Sequence, residues 1–176
     1  RTDSYGGSRE NRMRYPLEVF DAVRTVWPDE LPLGVRISAV EWVDDGWNID
    51  DSIAFAKELR AHGCDFIDVS SGGNTPRQEI DAGPGYQTGF SADIRRESGL
   101  STMAVGQITQ ARQAEAIIRS GHADMVALAR GMLYDPHWVW HAADELNAQA
   151  NFPPQYMRSH RSLQGLPVPG NPPIEK

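Results

Sequence analysis

Arg36 stands inside LGVRISA, a β-rich and otherwise apolar run over residues 33–39. A guanidinium buried without a partner is too costly to keep, so the run predicts a partner for it. The next apolar run, DFIDVS, offers two carboxylates, Asp65 and Asp68. The other reactive side chains lack a working arrangement. Of His62, His122, His137, His141 and His160, only His137 and His141 stand four apart, and neither belongs to an HExxH pattern, so no metal site is expected. Ser70 and Ser71 precede Gly72 and Gly73 with no histidine paired to them, which reads as a glycine-rich loop and not as a nucleophile. The single cysteine, Cys64, excludes an internal disulfide and reads as a small buried apolar residue in a reducing compartment.

These groups need elements to hold them. Ser8 is placed to cap a helix through ENRMRYPLEVFDAVRTVW, where Val19, Phe20, Val23, Val26 and Trp27 recur at helical spacing; Pro16 should kink or restart it and Pro28 should stop it. LGVRISA reads as a strand, and Asp50 or Asp51 as the cap of DSIAFAKELRAHG, which stops on Gly63. DFIDVS (residues 65–70) is a second strand, SADIRRESG a short helix, and STMAVG (residues 101–106) a third strand. TQARQAEAIIRSGHA reads as a helix capped by Thr109, ADMVALARG as a fourth strand, and residues 138–146 as a last helix. From Pro153 onward the chain is proline-rich and loses periodicity. Residues 1–150 are therefore expected to form a folded domain and residues 151–176 an extended tail.

Composition narrows the function classes. Among 176 residues, Lys+Arg 17 against Asp+Glu 24 leave a net charge of −7 with no compensating basic patch, which disfavours nucleic acid and acidic membranes as partners. No apolar run approaches the ~20 residues of a membrane span and no signal sequence is visible, so a cytoplasmic protein is expected.

Strands alternating with helices, each strand taken as apolar on both faces, call for a parallel sheet with helices outside it. A closed (β/α)8 TIM barrel needs eight such units and ~250 residues, so four units amount to a half-barrel. An open, flavodoxin-like doubly wound sheet is the structural alternative, although the first strand ends in SAVEW where that fold carries a phosphate-binding fingerprint.

RTDSYGGSRENR, GVRIS, DVSSGG, GPGYQ, AVGQI, ALARG with YDPHW, and PPQYMR follow one another in an order and spacing that resembles the old yellow enzyme family of FMN-dependent ene-reductases, in its bacterial NADPH dehydrogenase and xenobiotic-reductase subclass. In that family the RTD-YGGS-ENR run follows the fourth barrel strand. The resemblance therefore implies the C-terminal half of a TIM barrel, with about four β/α units, that needs an N-terminal half-barrel for activity. It implies FMN as cofactor, NADPH or NADH as reductant, an α,β-unsaturated carbonyl substrate, and a homo-oligomer joined through the C-terminal tail. It assigns Arg36 to the flavin's pyrimidine edge; the same residue can equally be a salt-bridge partner of Asp65 or Asp68. Barrel phosphate sites lie after the seventh and eighth strands, which assigns Ala104, Val105, Gly106, Ala129 and Arg130 to the FMN phosphate. Ala129 departs from the glycine common there. Tyr86 is expected to line the substrate mouth or to pin its own loop, and Arg158 to reach an adjacent subunit's site. Two other readings stay open: a dienoyl-CoA reductase, which would need iron–sulfur ligands that one cysteine cannot supply, and a non-catalytic half-barrel scaffold without bound flavin.

Overall fold

A computed structural model describes residues 1–156 of the chain. Strands β1 (Gly34–Ser38), β2 (Phe66–Ser70), β3 (Ser101–Val105) and β4 (Met125–Ala127) form one sheet in that order, and every neighbouring pair is parallel. Between them run helices α2 (Ile49–Ala61), α3 (Thr88–Ser98) and α4 (Ala111–Arg119), while α1 (Arg9–Arg24) precedes the first strand. After β4 come α5 (Arg130–Tyr134) and α6 (Trp138–Glu145). Sequential strand order with a helix at each crossover is the repeating unit of a β/α barrel, so the structure has the partial-barrel fold that the sequence predicts.

The chain divides into two compact units. The first comprises Arg1–Ile108 with Ala116–Leu128 and contains the whole sheet; the second comprises, among the described residues, Thr109–Glu115 and residues 129–156.

In the first unit the two faces of the sheet differ. Ile67, Val69, Thr102 and Ala104 are fully buried, and Leu59 and Phe55 of α2, Ile94 of α3 and Phe20 of α1 belong to the same core. Fully burying a side chain of leucine or isoleucine size is worth about 1.5–3 kcal/mol, so Leu59, Ile67 and Ile94 anchor the helices to this face. The alternate positions point the other way. Arg36 is exposed, and Asp68, Met103 and Val105 are half-buried. The expectation of strands apolar on both faces is thus corrected: one face is apolar, and the other is mixed and open. Gly34 on that face lies under the Phe66 ring, where a β-carbon would come within 2.5 Å of Phe66 Cζ.

Several local expectations hold and others shift. Ser8 caps α1 by accepting from the Asn11 N–H, and α1 runs through Pro16 as a single helix that ends at Arg24, before Pro28. The cap of α2 is Asn48, whose side chain accepts from Asp51 N–H while Asp51 reaches back to Asn48 N–H. Asp51 is therefore the third residue of a capping box, and it also takes Arg9 (2.6 Å) and Arg12 (3.6 Å) from α1. The stretch read as the end of a fourth strand instead enters α5, with Ala129 at its N-cap. α4 begins at Ala111, two residues after Thr109, whose N–H donates to Gln113 Oε1 and whose carbonyl accepts from Trp138 Nε1. The apolar stripe read for α1 lacks cover: Phe20 is buried, but Val19 and Val23 of the helix, and Val26 and Trp27 beyond its end, are exposed.

Candidate functional site at the carboxyl ends of the strands

Arg36 sits on the open face of β1, directly across from Asp68 on β2. The two form an ion pair at 2.5 Å, with side-chain exposures of 56% and 16%. Of the two carboxylates available from the sequence, Asp68 is the partner. Asp65 instead accepts the Leu33 N–H at 2.7 Å and pairs with Arg24 at 3.5 Å. Asp68 uses one oxygen for Arg36, and its other oxygen, Oδ1, is buried with no hydrogen-bond partner among the described residues. Arg36 has five N–H donors and more than half its side chain in the open, so it keeps donors for an anionic group.

The end of β3 is held from behind. Gly85 N–H donates to the Gly106 carbonyl at 2.9 Å, and Gln87 Nε2 donates to the Val105 carbonyl at 2.7 Å. Gly106 has φ +128°, and a β-carbon there would stand 2.8 Å from Gln87 Nε2 and 3.0 Å from Tyr86 Cε1. Only glycine satisfies both the backbone and the space at this turn. The Ala104 side chain is in the core, so only its backbone is available to a ligand. Tyr86 packs against this turn and against Trp42, with ring centroids 6.4 Å apart.

Ser71, Gln87 and Trp42 form a polar chain that sequence reasoning missed. Trp42 Nε1 donates to Ser71 Oγ at 2.9 Å, and Ser71 Oγ donates to Gln87 Oε1 at 2.6 Å. Gln87 is 2% exposed and Ser71 9%. Trp42 has φ +59°, a costly conformation for a bulky side chain. The only trace of this in the sequence is a glutamine next to Gly85 and Tyr86 and a tryptophan just past a strand.

In the second unit, Ala129 and Arg130 start α5; both are exposed, and the Arg130 guanidinium makes no ion pair among the described residues. Arg158 and His160 lie outside the described residues. His62 pairs with Asp21 at 2.7 Å and His141 with Asp135 at 2.6 Å, whose carboxyl is held below its ordinary value mainly by that hydrogen bond. Burial pushes the Cys64 thiol up. Among the described residues no cluster of His, Cys, Asp and Glu could hold a metal, and no helix is long and apolar enough to cross a membrane.

In β/α barrels the working face lies at the carboxyl ends of the strands, the end at which Gly106 and Tyr86 sit. Residues 1–149 match the NADH:flavin oxidoreductase / NADH oxidase family, and the chain belongs to it, as the resemblance to old yellow enzymes implied. The chain is 47% identical over 161 residues to the NADPH dehydrogenase of Geobacillus thermodenitrificans (strain NG80-2), an alignment that covers 92% of this chain and 46% of the relative. It thus spans about half the length of the curated relatives it matches. Among solved structures, morphinone reductase superposes with TM-score 0.61 at 27% identity, over 88% of this chain and 40% of that one. A 2-naphthoyl-CoA reductase in complex with 2-naphthoyl-CoA superposes with TM-score 0.74 at 23% identity, over 82% of this chain and 23% of that one, a likeness of fold.

Proposed function

We propose that the chain is the C-terminal half of an FMN-dependent NAD(P)H oxidoreductase of the ene-reductase type, active in the cytoplasm once an N-terminal half-barrel completes it. In this reading residues 1–150 are the half-barrel and residues 151–176 the tail. The observation that carries it is Arg36, a cation kept on the open face of the sheet and paired with Asp68 yet more than half exposed. The turn at Gly106 supports it, because Gln87 and Tyr86 leave room for glycine alone there, so the end of β3 presents backbone without a side chain. Both features suit an anionic flavin nucleotide.

Arg36 would face the flavin's electron-rich pyrimidine edge, and the backbone of Ala104, Val105 and Gly106 with Ala129 and Arg130 would hold the phosphate. The chemistry FMN supplies when bound is two-electron transfer, accepting hydride from NADPH or NADH and delivering it to the β-carbon of an α,β-unsaturated carbonyl compound. This chain's residues bind and orient: Arg36 by charge, Gly106 by its backbone, Tyr86 as a wall at the same end. Arg158 would reach the neighbouring subunit's site in a homo-oligomer.

The experiment is co-expression with the N-terminal half of the Geobacillus NADPH dehydrogenase. A yellow 1:1 complex that oxidises NADPH faster when a cyclic enone is added is the expected result. A complex that stays colourless with added FMN would instead mark the chain as a scaffold without flavin.

A further inference from the structure

Gln87 occupies a position where its side chain is not needed for the local backbone. It is the N-cap of α3, yet its side chain makes no capping bond. The amide is instead almost fully buried and stretched between two other segments, accepting from Ser71 beyond β2 and donating to the Val105 carbonyl at the end of β3. Ser71 in turn accepts from the Trp42 indole beyond β1. One directional amide therefore ties together the chain segments that follow β1 and β2 and the last residue of β3.

The direction matters. A trans peptide is planar, with its C=O and N–H on opposite sides. Because Gln87 Nε2 holds the Val105 carbonyl toward the Gly85–Gln87 turn, the Gly106 N–H of that same peptide is turned away from it. The Gly106 carbonyl is drawn back to the same turn by Gly85 N–H, which fixes the next peptide as well. The amide cannot be reversed, since its oxygen would then oppose the Val105 carbonyl and its NH2 would face the Ser71 hydroxyl, which would have to turn its proton away and accept.

We propose that Gln87 is the positioning residue for the phosphate group of the bound nucleotide: it orients the Val105–Gly106 peptide so that its N–H is presented to the anion, and Ser71 and Trp42 fix the orientation of Gln87. This rests on the flavin reading above and adds to it a residue that touches no ligand.

The test compares FMN with riboflavin, which lacks the phosphate, in fluorescence titrations of the reassembled barrel carrying Gln87→Met, Gln87→Glu or Ser71→Ala. Losing a buried hydrogen bond that orients the peptide should weaken FMN about tenfold in Gln87→Met and Gln87→Glu, with riboflavin affinity nearly unchanged. Ser71→Ala keeps the Val105 bond and should lower the FMN-to-riboflavin ratio in the same direction by about twofold to threefold. Equal losses for both ligands, or an unchanged ratio, would reduce Gln87 to a packing residue and overturn the proposal. If Gln87→Met does not fold, an unchanged ratio in Ser71→Ala overturns it equally. A wild-type barrel that binds neither ligand would take down the flavin reading and this inference together, whereas a wild-type barrel that binds FMN beside variants of unchanged ratio removes the inference alone.

Discussion

Neutralising either member of the Arg36–Asp68 pair should move the flavin potential in opposite directions. Reduction places negative charge on the isoalloxazine, so a nearby cation favours the reduced form and a nearby anion opposes it. The two groups touch at 2.5 Å, and the field of Arg36 is therefore partly cancelled by Asp68. A unit charge about 4 Å away is worth about 1 kcal/mol with water-like screening and about 4 kcal/mol at an effective dielectric of about 20. Arg36 is 56% exposed in this chain, which selects the lower end, and closure of the barrel moves it upward. For a two-electron couple that range converts to about 20–90 mV. Arg36→Met should lower the FMN midpoint potential of the reassembled barrel within it. Asp68→Asn, which unmasks the guanidinium without removing volume, should raise the potential, and the double variant should return close to wild type. Arg36→Lys should recover the sign but not the full size of the effect, because a point charge cannot donate as a fork. Spectroelectrochemical titration with a reference dye measures all four. If Asp68→Asn left the potential unchanged or lowered it, Arg36 would be only a structural partner of Asp68, and the flavin assignment would rest on the β3 turn.

The chain alone should self-associate, because Val19 and Val23 of α1 and Val26 and Trp27 just after it are uncovered; light scattering that finds a monomer with a cooperative unfolding transition would refute this. Asp124 is held below its ordinary carboxylate value, first by the hydrogen bond from Arg95, with the Thr102 N–H adding to it, and burial opposes the shift. A lowered folded value means stabilisation that is present above the unfolded value of about 4 and is lost as pH falls through the lower folded value. Asp124→Asn should thus destabilise the fold at pH 7, and the gap to wild type in urea unfolding should narrow as pH falls below about 4 and close through the lower folded value. Arg158→Ala should raise the KM for the enone in the reassembled oligomer; unchanged kinetics would leave that arginine without a role at the site.

The sequence made the strands legible because each is a short apolar run, and β3 is flanked by glycine at both ends; the helix ends were legible where Gly63 and Gly99 turn into the left-handed region. Arg36 was legible for the same physical reason, as a charge inside an apolar run. The shifts at the α2 cap and at α5 came from competition between neighbours. Asn48, Asp50 and Asp51 can all cap a helix, and the choice fell to Asn48 because Asp51 is claimed by Arg9 and Arg12 from α1. The Trp42–Ser71–Gln87 chain was illegible, since its members lie in three separate segments and nothing local about a glutamine after a tyrosine says that its amide will be buried.

The open face of the sheet decides between a solvated surface and the inner wall of a barrel. A solvated face would hydrate its carboxylates, yet Asp68 Oδ1 is buried and unsatisfied while its other oxygen holds Arg36. Buried polar atoms without partners are rare in finished proteins because each costs about 1–3 kcal/mol. On the face away from the helices, the unsatisfied Asp68 Oδ1 beside the exposed Arg36 is the place where the proposed second half-barrel would supply a donor.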